Sequence, residues 1–420
     1  MKIKVIGSTK SGYCMPVEDA LGFGGKSAGI CYMPDSFESI LGENIEKTEK
    51  RIQRTLKSGH HSVYDHPTYN LLLEDIPKIL AMVLNNEGFY TTSEKSARYT
   101  KMNPGKREKD LYEKWADILK EKIHEIYPQI SNSHTEKLAR ENSRYMISVF
   151  TPTTLEYTVS LRQMSYILGM MKKFVEKAED TSFNTMLKES IGEFIESSKE
   201  FDIPYLNADI KGRELSLFDA RKNRRDEFGE NYSVNYLGSF AQLGQAQRHR
   251  TLDYKMKVIE ENPEFYVPPI IRAENNNGDT ALENTWLQDI KSVADMFPQG
   301  MLIKINERGT YENFILKAKE RLCGSAQLEI AEQTKDILLA YILNTRGTND
   351  EVREYLAQYV IKKYAANAGN VDGMECDGNT FAADIAENTH GYIAIPRCRF
   401  HDWKCTSPCI WGAKGLERLI

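Results

Sequence analysis

The feature that most constrains this chain is a pattern that starts twice. Residues 66–74 (HPTYNLLLE) have the aromatic and aliphatic density of a strand, and residues 75–86 (DIPKILAMVLNN) follow as a helix opened by Asp75. Near residue 200 the sequence begins again. Residues 231–240 (NYSVNYLGSF) alternate like a strand, residues 241–250 (AQLGQAQRHR) read as a helix, and a second long helix is expected over 326–344. An element order that recurs predicts a duplicated unit. Residues 42–58 read as a charged amphipathic helix and residues 273–280 (AENNNGDT) as a loop. Residues 155–175 read as a strong helix with Leu161, Met164, Leu168 and Met171 at three- and four-residue steps, a stripe that reads as core packing.

A length of 420 residues admits one large domain or two to three ordinary ones. Hydrophobic residues at 41% and charged residues at 27% are ordinary for a soluble globular chain. A net charge of -5 gives no global pull toward nucleic acid or an anionic membrane, so neither is expected as a partner. No apolar run approaches the roughly 18 residues that span a bilayer. The opening MKIKVIGSTKSGYCM has no signal-peptide core, and a cytoplasmic location is expected. Seven cysteines, an odd count, argue against a disulfide framework.

Three segments could carry chemistry. Residues 59–66 (GHHSVYDH) hold His60, His61 and His66, but their spacing matches no standard metal motif, and the alternative is a satisfied histidine group at a loop–strand junction. Residues 91–99 (TTSEKSARY) place Glu94, Ser96 and Arg98 at two-residue steps. Hydroxyl, guanidinium and backbone amides together suit a phosphate or nucleotide, and the alternative is a solvated loop. In residues 245–250 (QAQRHR), Gln245 on a helix shares a face with Arg248 and His249. An amide beside paired guanidinium groups can grip an anion and a uracil-like edge, and the alternative is a basic helix end facing solvent. Arg144, Arg162 and Arg321 sit beside apolar residues, where an arginine is more often a snorkelling surface group.

Taken together, these segments resemble the flavin-dependent thymidylate synthases. That family carries a His-x-Ser/Thr-x-x-Glu-His stretch, an Arg-His-Arg triplet, a Glu-x-Ser-x-Arg-Tyr loop and a later arginine helix. In the first half, His60–His66 resembles the upstream stretch with Asp65 in place of Glu, and Glu94-Lys95-Ser96-Ala97-Arg98-Tyr99 resembles the nucleotide loop. Arg144 falls at a nucleotide-binding arginine, and Arg162 lies on the helix that supplies flavin contacts, with Ser160 and Ser165 where asparagines are usual. The triplet is missing there, replaced by Asn86-Glu87-Gly88, and the helix arginine is replaced by Met171. The second half is the reverse: Gln245, Arg248, His249 and Arg250 match the Gln and triplet, Arg321 sits where the first half has lost its arginine, and the nucleotide loop is gone. The likeness covers roughly residues 25–365.

The resemblance implies an α+β fold, two fused copies of the family unit with a mixed sheet and long helices. The copies would span 1–205 (nucleotide loop and flavin helix) and 206–367 (triplet helix), with 368–420 a Cys/His-containing extension. It implies C5 methylation of a pyrimidine nucleotide, dUMP to dTMP, with FAD as cofactor and NADPH and methylenetetrahydrofolate as co-substrates. Arg248, Arg321, Ser96 and His60 would be catalytic; no cysteine lies within the motifs. Glu94, Ser96, Arg98, Arg144, Gln245, Arg248 and Arg321 would hold the nucleotide, and His60, Ser62, Asp65, Arg162, Ser165, His249 and Arg250 the flavin. Family members are homotetramers with shared sites, so a homodimer of this chain is expected to mimic the tetramer. The departures at Asp65, Ser160 and Ser165 leave room for UMP or dCMP as substrate and for a hydroxymethyl product. The other classes are a nucleotide-binding protein without turnover and a metal-dependent hydrolase using His60, His61, His66 and the C-terminal cysteines.

Beyond the likeness, Cys398, His401, Cys405 and Cys409 fall within twelve residues, with Cys376 and His390 nearby. Such donors suit a tetrahedral Zn²⁺. The alternative is a group of reduced thiols beside Trp403 and Trp411.

Overall fold

At four places a strand runs directly into a helix, and at three of them the last strand residue carries a hydroxyl. Ser160 accepts from the Gln163 amide at 3.1 Å, Ser239 from Gln242 at 3.0 Å and Thr310 from Asn313 at 3.3 Å. Each side chain satisfies an amide that the first helical turn leaves unpaired. The fourth junction is Pro77, which caps nothing with its side chain. These junctions organise a chain whose computed structural model describes residues 1–9, 16–30, 37–96, 100, 102–208, 210, 212–218, 225–272, 280–362 and 392–420.

The first half runs β1 (Lys2–Ser8), α1 (Val17–Ile30), α2 (Phe37–Leu41), α3 (Ile45–Lys57), β2 (Thr68–Pro77), α4 (Lys78–Leu84), β3 (Tyr90–Glu94), α5 (Lys106–Ile126), α6 (Asn132–Ser143), β4 (Pro152–Ser160), α7 (Leu161–Lys177), α8 (Ser182–Ser197) and α9 (Pro204–Ala208). The second half runs β5 (Asn231–Ser239), α10 (Phe240–Ala246), β6 (Asp253–Lys257), α11 (Pro269–Arg272), α12 (Ala281–Lys291), β7 (Leu302–Thr310), α13 (Tyr311–Arg321), α14 (Leu328–Asn344), α15 (Asp350–Ala357), β8 (Val360–Lys362) and β9 (Tyr392–Ala394). The architecture is α+β. Every strand pairing among the described residues is antiparallel, where a mixed sheet was expected.

The repeat is visible in topology and register. The first sheet is ordered β1-β2-β4-β3 and the second β5-β7-β6, so β4 lies between β2 and β3 as β7 lies between β5 and β6. Thr68 faces Ser160 and Pro77 faces Pro152; likewise Asn231 faces Thr310 and Ser239 faces Leu302. The first pair spans one more residue, taken up by a bulge between Leu73 and Ile76, where Asp75 has φ 56°. From the junctions onward the counterparts are fixed. Thr310 follows Ser160 by 150 positions, so Arg321 is the counterpart of Met171. Both α4 and α10 have seven residues, so Arg248, His249 and Arg250 are the counterparts of Asn86, Glu87 and Gly88.

The chain packs as two compact units, Met1–Ser96 with Phe150–Asp219, and Ala97–Val149 with Ala220–Ile420. The boundaries drawn from sequence follow the chain; the packing does not, because α5 and α6 belong to the second unit. In the first unit Leu71, Leu73, Tyr157, Leu161, Met164, Leu168 and Met171 are buried beneath the sheet, so the methionine stripe is core. In the second, Trp115 of α5 meets Trp286 of α12 edge to face at 4.7 Å. There too Ser148 lies opposite Pro298, with the Val149 amide bonding Phe297 O at 2.9 Å and the Gln299 amide bonding Ile147 O at 2.7 Å. These are counterpart residues, so the two crossing segments are locally two-fold related. Gly300 permits the crossing: a Cβ there would stand 2.9 Å from Tyr145 Cβ.

Three expected boundaries move. Residues 155–160 are strand, because Leu155, Tyr157 and Val159 alternate inward, and the helix starts at Leu161. Asp75 sits in the bulge, and the helix begins at Lys78. The helix expected over 241–250 ends at Ala246, leaving Arg248–Arg250 on the turn beyond it. Residues 273–279 lie outside the described residues. No helix among the described residues is long and apolar enough to cross a membrane.

Candidate functional site

In the second unit the turn after α10 and the end of α13 meet. Arg321 Nε donates to His249 Nε2 at 2.7 Å, and its Nη2 donates to the Gln245 carbonyl at 3.3 Å. An acceptor at Nε2 places the imidazole proton on Nδ1. Burial, with the charges of Arg321 and Lys317 behind it, pushes the His249 pKa down to about 2, so the ring is neutral. Arg248 and Arg250 flank it on the exposed side of the turn.

Among the buried polar groups of the second unit that lack a partner, two belong to residues singled out in the sequence. The Gln245 side-chain amide is shielded from water, and neither its oxygen nor its nitrogen has a partner. The Nε of Arg144 is likewise buried and unpartnered, while its Nη2 donates to Gln327 Oε1. Such groups cost free energy unless something else satisfies them. One carbonyl and one NH₂ side by side complement an imide edge, the pattern of uracil and of the flavin pyrimidine ring.

Below the turn lies a fully buried ion pair, with Lys317 Nζ 2.6 Å from Glu307 Oε2. Tyr232 and Tyr236 donate to the same carboxylate at 2.8 and 2.9 Å. The counterparts of Glu307 and Lys317 in the first repeat are Tyr157 and Ile167, so this charge is peculiar to the second repeat.

In the first unit Glu94 is held at the end of β3, its carboxylate bonded by Lys78 Nζ at 2.7 and 2.9 Å. Ser96 follows in the half-buried start of the loop, and Arg98 lies outside the described residues. Asp65 pairs with Arg162 and accepts from Ser160 Oγ at 2.8 Å, tying the turn before β2 to the first turn of α7. His60 is half-buried and Ser62 exposed on that turn. His61 points inward, with Nε2 2.9 Å from Leu56 O and Nδ1 3.3 Å from Tyr166 OH; it is a satisfied core histidine.

The first-repeat counterpart of the arginine turn is covered. Ser216 donates its amide to Glu87 Oε1 at 2.7 Å and its hydroxyl to Asn86 O at 2.8 Å. Arg213 lies 4.5 Å over the Tyr166 ring, and Phe218 meets Phe174 at a tilt, ring centres 5.0 Å apart. Ser165, a flavin contact by resemblance, is fully buried and exchanges hydrogen bonds with Ile203 at 3.2 and 3.4 Å. Its shorter side chain serves the covering segment in this fold.

Among the described residues no group of three or more His, Cys, Asp and Glu side chains is placed to hold a metal ion. His401 faces the Tyr359 ring at 5.8 Å, and Cys398 Sγ donates to Gly412 O at 3.6 Å. Cys376 and His390 lie outside the described residues.

This is an α+β chain with an internally repeated topology and a cationic turn after a strand–helix junction that carries an unpartnered amide. Residues 25–179 match the family model described as thymidylate synthase complementing protein. It is 25% identical over 148 residues to a flavin-dependent thymidylate synthase of Thermococcus onnurineus, covering 32% of this chain and 58% of the relative. It is 24% identical over 157 residues to that of Pyrococcus furiosus, covering 34% and 61%. The chain thus spans about 60% of the length of these curated relatives. Among solved structures, a UMP/dUMP methylase PolB from Streptomyces cacaoi bound with 5-Br dUMP aligns with a TM-score of 0.32 at 13% identity, covering 51% of this chain and 96% of that one. A Helicobacter pylori flavin-dependent thymidylate synthase complexed with FAD and dUMP aligns at 0.30 with 15% identity, covering 50% and 99%.

Proposed function

We infer that this chain is a flavin-dependent enzyme that methylates C5 of a pyrimidine nucleotide, with dUMP the first candidate, methylenetetrahydrofolate the one-carbon donor and NADPH the reductant. One observation carries the reading: the two repeats have lost opposite parts of one motif set. The first keeps Glu94, Ser96 and Arg98, whose second-repeat counterparts are Met256, Val258 and Glu260. The second keeps Arg248, His249, Arg250 and Arg321, whose first-repeat counterparts are Asn86, Glu87, Gly88 and Met171. One chain therefore carries one complete set, and a dimer presents four repeats, the number in the tetramer the resemblance implies.

The roles follow from the chemistry present. Gln245 reads an imide edge through its unpaired amide. Arg248 and Arg321 stabilise negative charge on the pyrimidine as its C5 becomes nucleophilic. Neutral His249 accepts from Arg321 and fixes its plane. Ser96 and Arg98 hold the nucleotide phosphate, with Arg144 beside the base. A bound reduced flavin would supply the hydride that completes the methyl group. Asp65, Arg162, His60 and Ser62 of the first repeat, and Arg250 of the second, are the residues that would hold it. The shorter reach of Asp65 supports UMP or dCMP as the second candidate substrate.

The test is spectroscopic and direct. Purified protein supplied with FAD shows a bound flavin spectrum that NADPH bleaches, and it binds one of dUMP, UMP or dCMP in equilibrium dialysis. Nucleotide bound without a flavin that NADPH reduces makes the chain a binding protein; metal bound without flavin favours the metal-dependent hydrolase.

A further inference from the structure

In the second unit a buried carboxylate links the residue after Arg144 to the cap of the helix that carries Gln245. Glu329 sits in the first turn of α14, a 17-residue helix whose N-terminal amides favour a negative charge. It is 6% exposed. On one side its Oε1 accepts the Ser239 amide at 2.8 Å and its Oε2 accepts the Ser239 hydroxyl at 2.7 Å. Ser239 is the cap of α10, the helix that carries Gln245 and leads into Arg248 and His249. On the other side Oε2 accepts the Tyr145 hydroxyl at 2.8 Å. Tyr145 follows Arg144 in the chain and accepts from Gln327 Nε2, while Gln327 Oε1 accepts from Arg144 Nη2.

We propose that Glu329 is a positioning residue that ties Arg144 to the cap of the Gln245–Arg248 helix and holds the two in register for a pyrimidine nucleotide. The nucleotide part of this statement rests on the function proposed above. Burying a carboxylate is costly unless donors surround it, and an apolar side chain of similar size would pack at lower cost. Three donors converge on Glu329, two from a helix cap and one from the residue after Arg144. That arrangement fixes geometry more than it adds stability. Gln327 extends the link to the guanidinium itself, so Arg144 is held on its Nη2 side while its Nε stays unpartnered for a ligand.

The test uses the full chain and two readouts. The first needs no ligand: the Nε–H resonance of Arg144 in a ¹⁵N spectrum, identified by its loss in Arg144→Lys. Ser239→Ala lies on the far side of Glu329, and it shifts this resonance in the wild-type background but not in Glu329→Gln. The second is the dissociation constant for dUMP and, separately, for FAD. Tyr145→Phe and Ser239→Ala each weaken dUMP binding, and the double variant falls short of the product of the single losses by at least about threefold. FAD binding and melting temperature combine without that shortfall. An Arg144 resonance indifferent to Ser239→Ala, or dUMP losses that multiply, would overturn the proposal. A chain that shows the resonance shift but binds neither dUMP nor UMP upholds the link and overturns the nucleotide reading instead.

Discussion

Arg321 Nε and His249 Nε2 lie 2.7 Å apart, and the bond requires a histidine that stays neutral. Its folded pKa, about 2, lies below the unfolded value of 6.5. Below pH 6.5 the unfolded chain takes up a proton that the folded one refuses, so this group stabilises the fold above pH 6.5 and the contribution is lost as pH falls. Between pH 6.5 and 4.5 the wild type should lose up to about 1.4 kcal/mol per pH unit more than His249→Gln. Urea denaturation at several pH values measures the difference; parallel curves would show a protonated ring and break the Arg321 bond.

The Glu307–Lys317 pair predicts a large and non-additive effect. Lys317→Met leaves a buried carboxylate with only tyrosine donors and should destabilise the second unit by roughly 3–5 kcal/mol. Adding Glu307→Gln should restore much of that loss, because no uncompensated charge remains. Thermal unfolding of both variants decides the matter, and a double variant as weak as the sum of its singles would contradict it.

The opposite pH dependence belongs to Glu87. Burial pushes its carboxyl up to about 7 against 4.5 when unfolded, with the Ser216 hydrogen bonds pulling the other way. Its contribution is fully present below pH 4.5 and is lost as pH rises through 7, a change of roughly 3 kcal/mol at most. Glu87→Gln should flatten the stability of the first unit across that window. Amide hydrogen exchange over residues 212–218 reads the same effect locally, with protection falling as pH rises in the wild type after correction for intrinsic exchange.

Replacing Arg321 with Met, the residue its counterpart uses, tests the site without unfolding it. Met171 is fully buried at the equivalent point of α7, so the side chain suits the helix. Arg321→Met should keep its melting temperature within a few degrees and lose nucleotide binding by tenfold or more, as expected for a charged hydrogen-bonding group removed from a ligand. Unchanged binding would remove Arg321 from the pocket.

Much of this was legible in the sequence. The strand–helix restart marked the repeat, and the Met171–Arg321 exchange follows from the register of α7 and α13. Residues 155–160 misled because Leu155 and Val159, four apart, satisfy helical spacing as well as strand alternation. The carboxylates of Glu307 and Glu329 went unnoticed because each sits in an amphipathic run where a single acid reads as an exposed face; only tertiary packing places them beside Lys317, Tyr145 and Ser239. The covering of Glu87 by Ser216 joins residues 129 apart, a contact no local pattern carries. The zinc reading relied on spacing alone, and spacing does not set the distance between thiols.

The most direct test of the central claim is tritium release from [5-³H]dUMP in the presence of FAD, NADPH and methylenetetrahydrofolate, repeated with [5-³H]UMP. Release should require every component and be lost in Arg98→Ala and in Arg248→Ala alike, since each repeat supplies part of one set. If the variants exchange subunits, a mixture of them stays inactive where one chain supplies the whole set and recovers activity where partner chains share it. No release from either nucleotide by protein that binds flavin, or release that survives both substitutions, would contradict that claim.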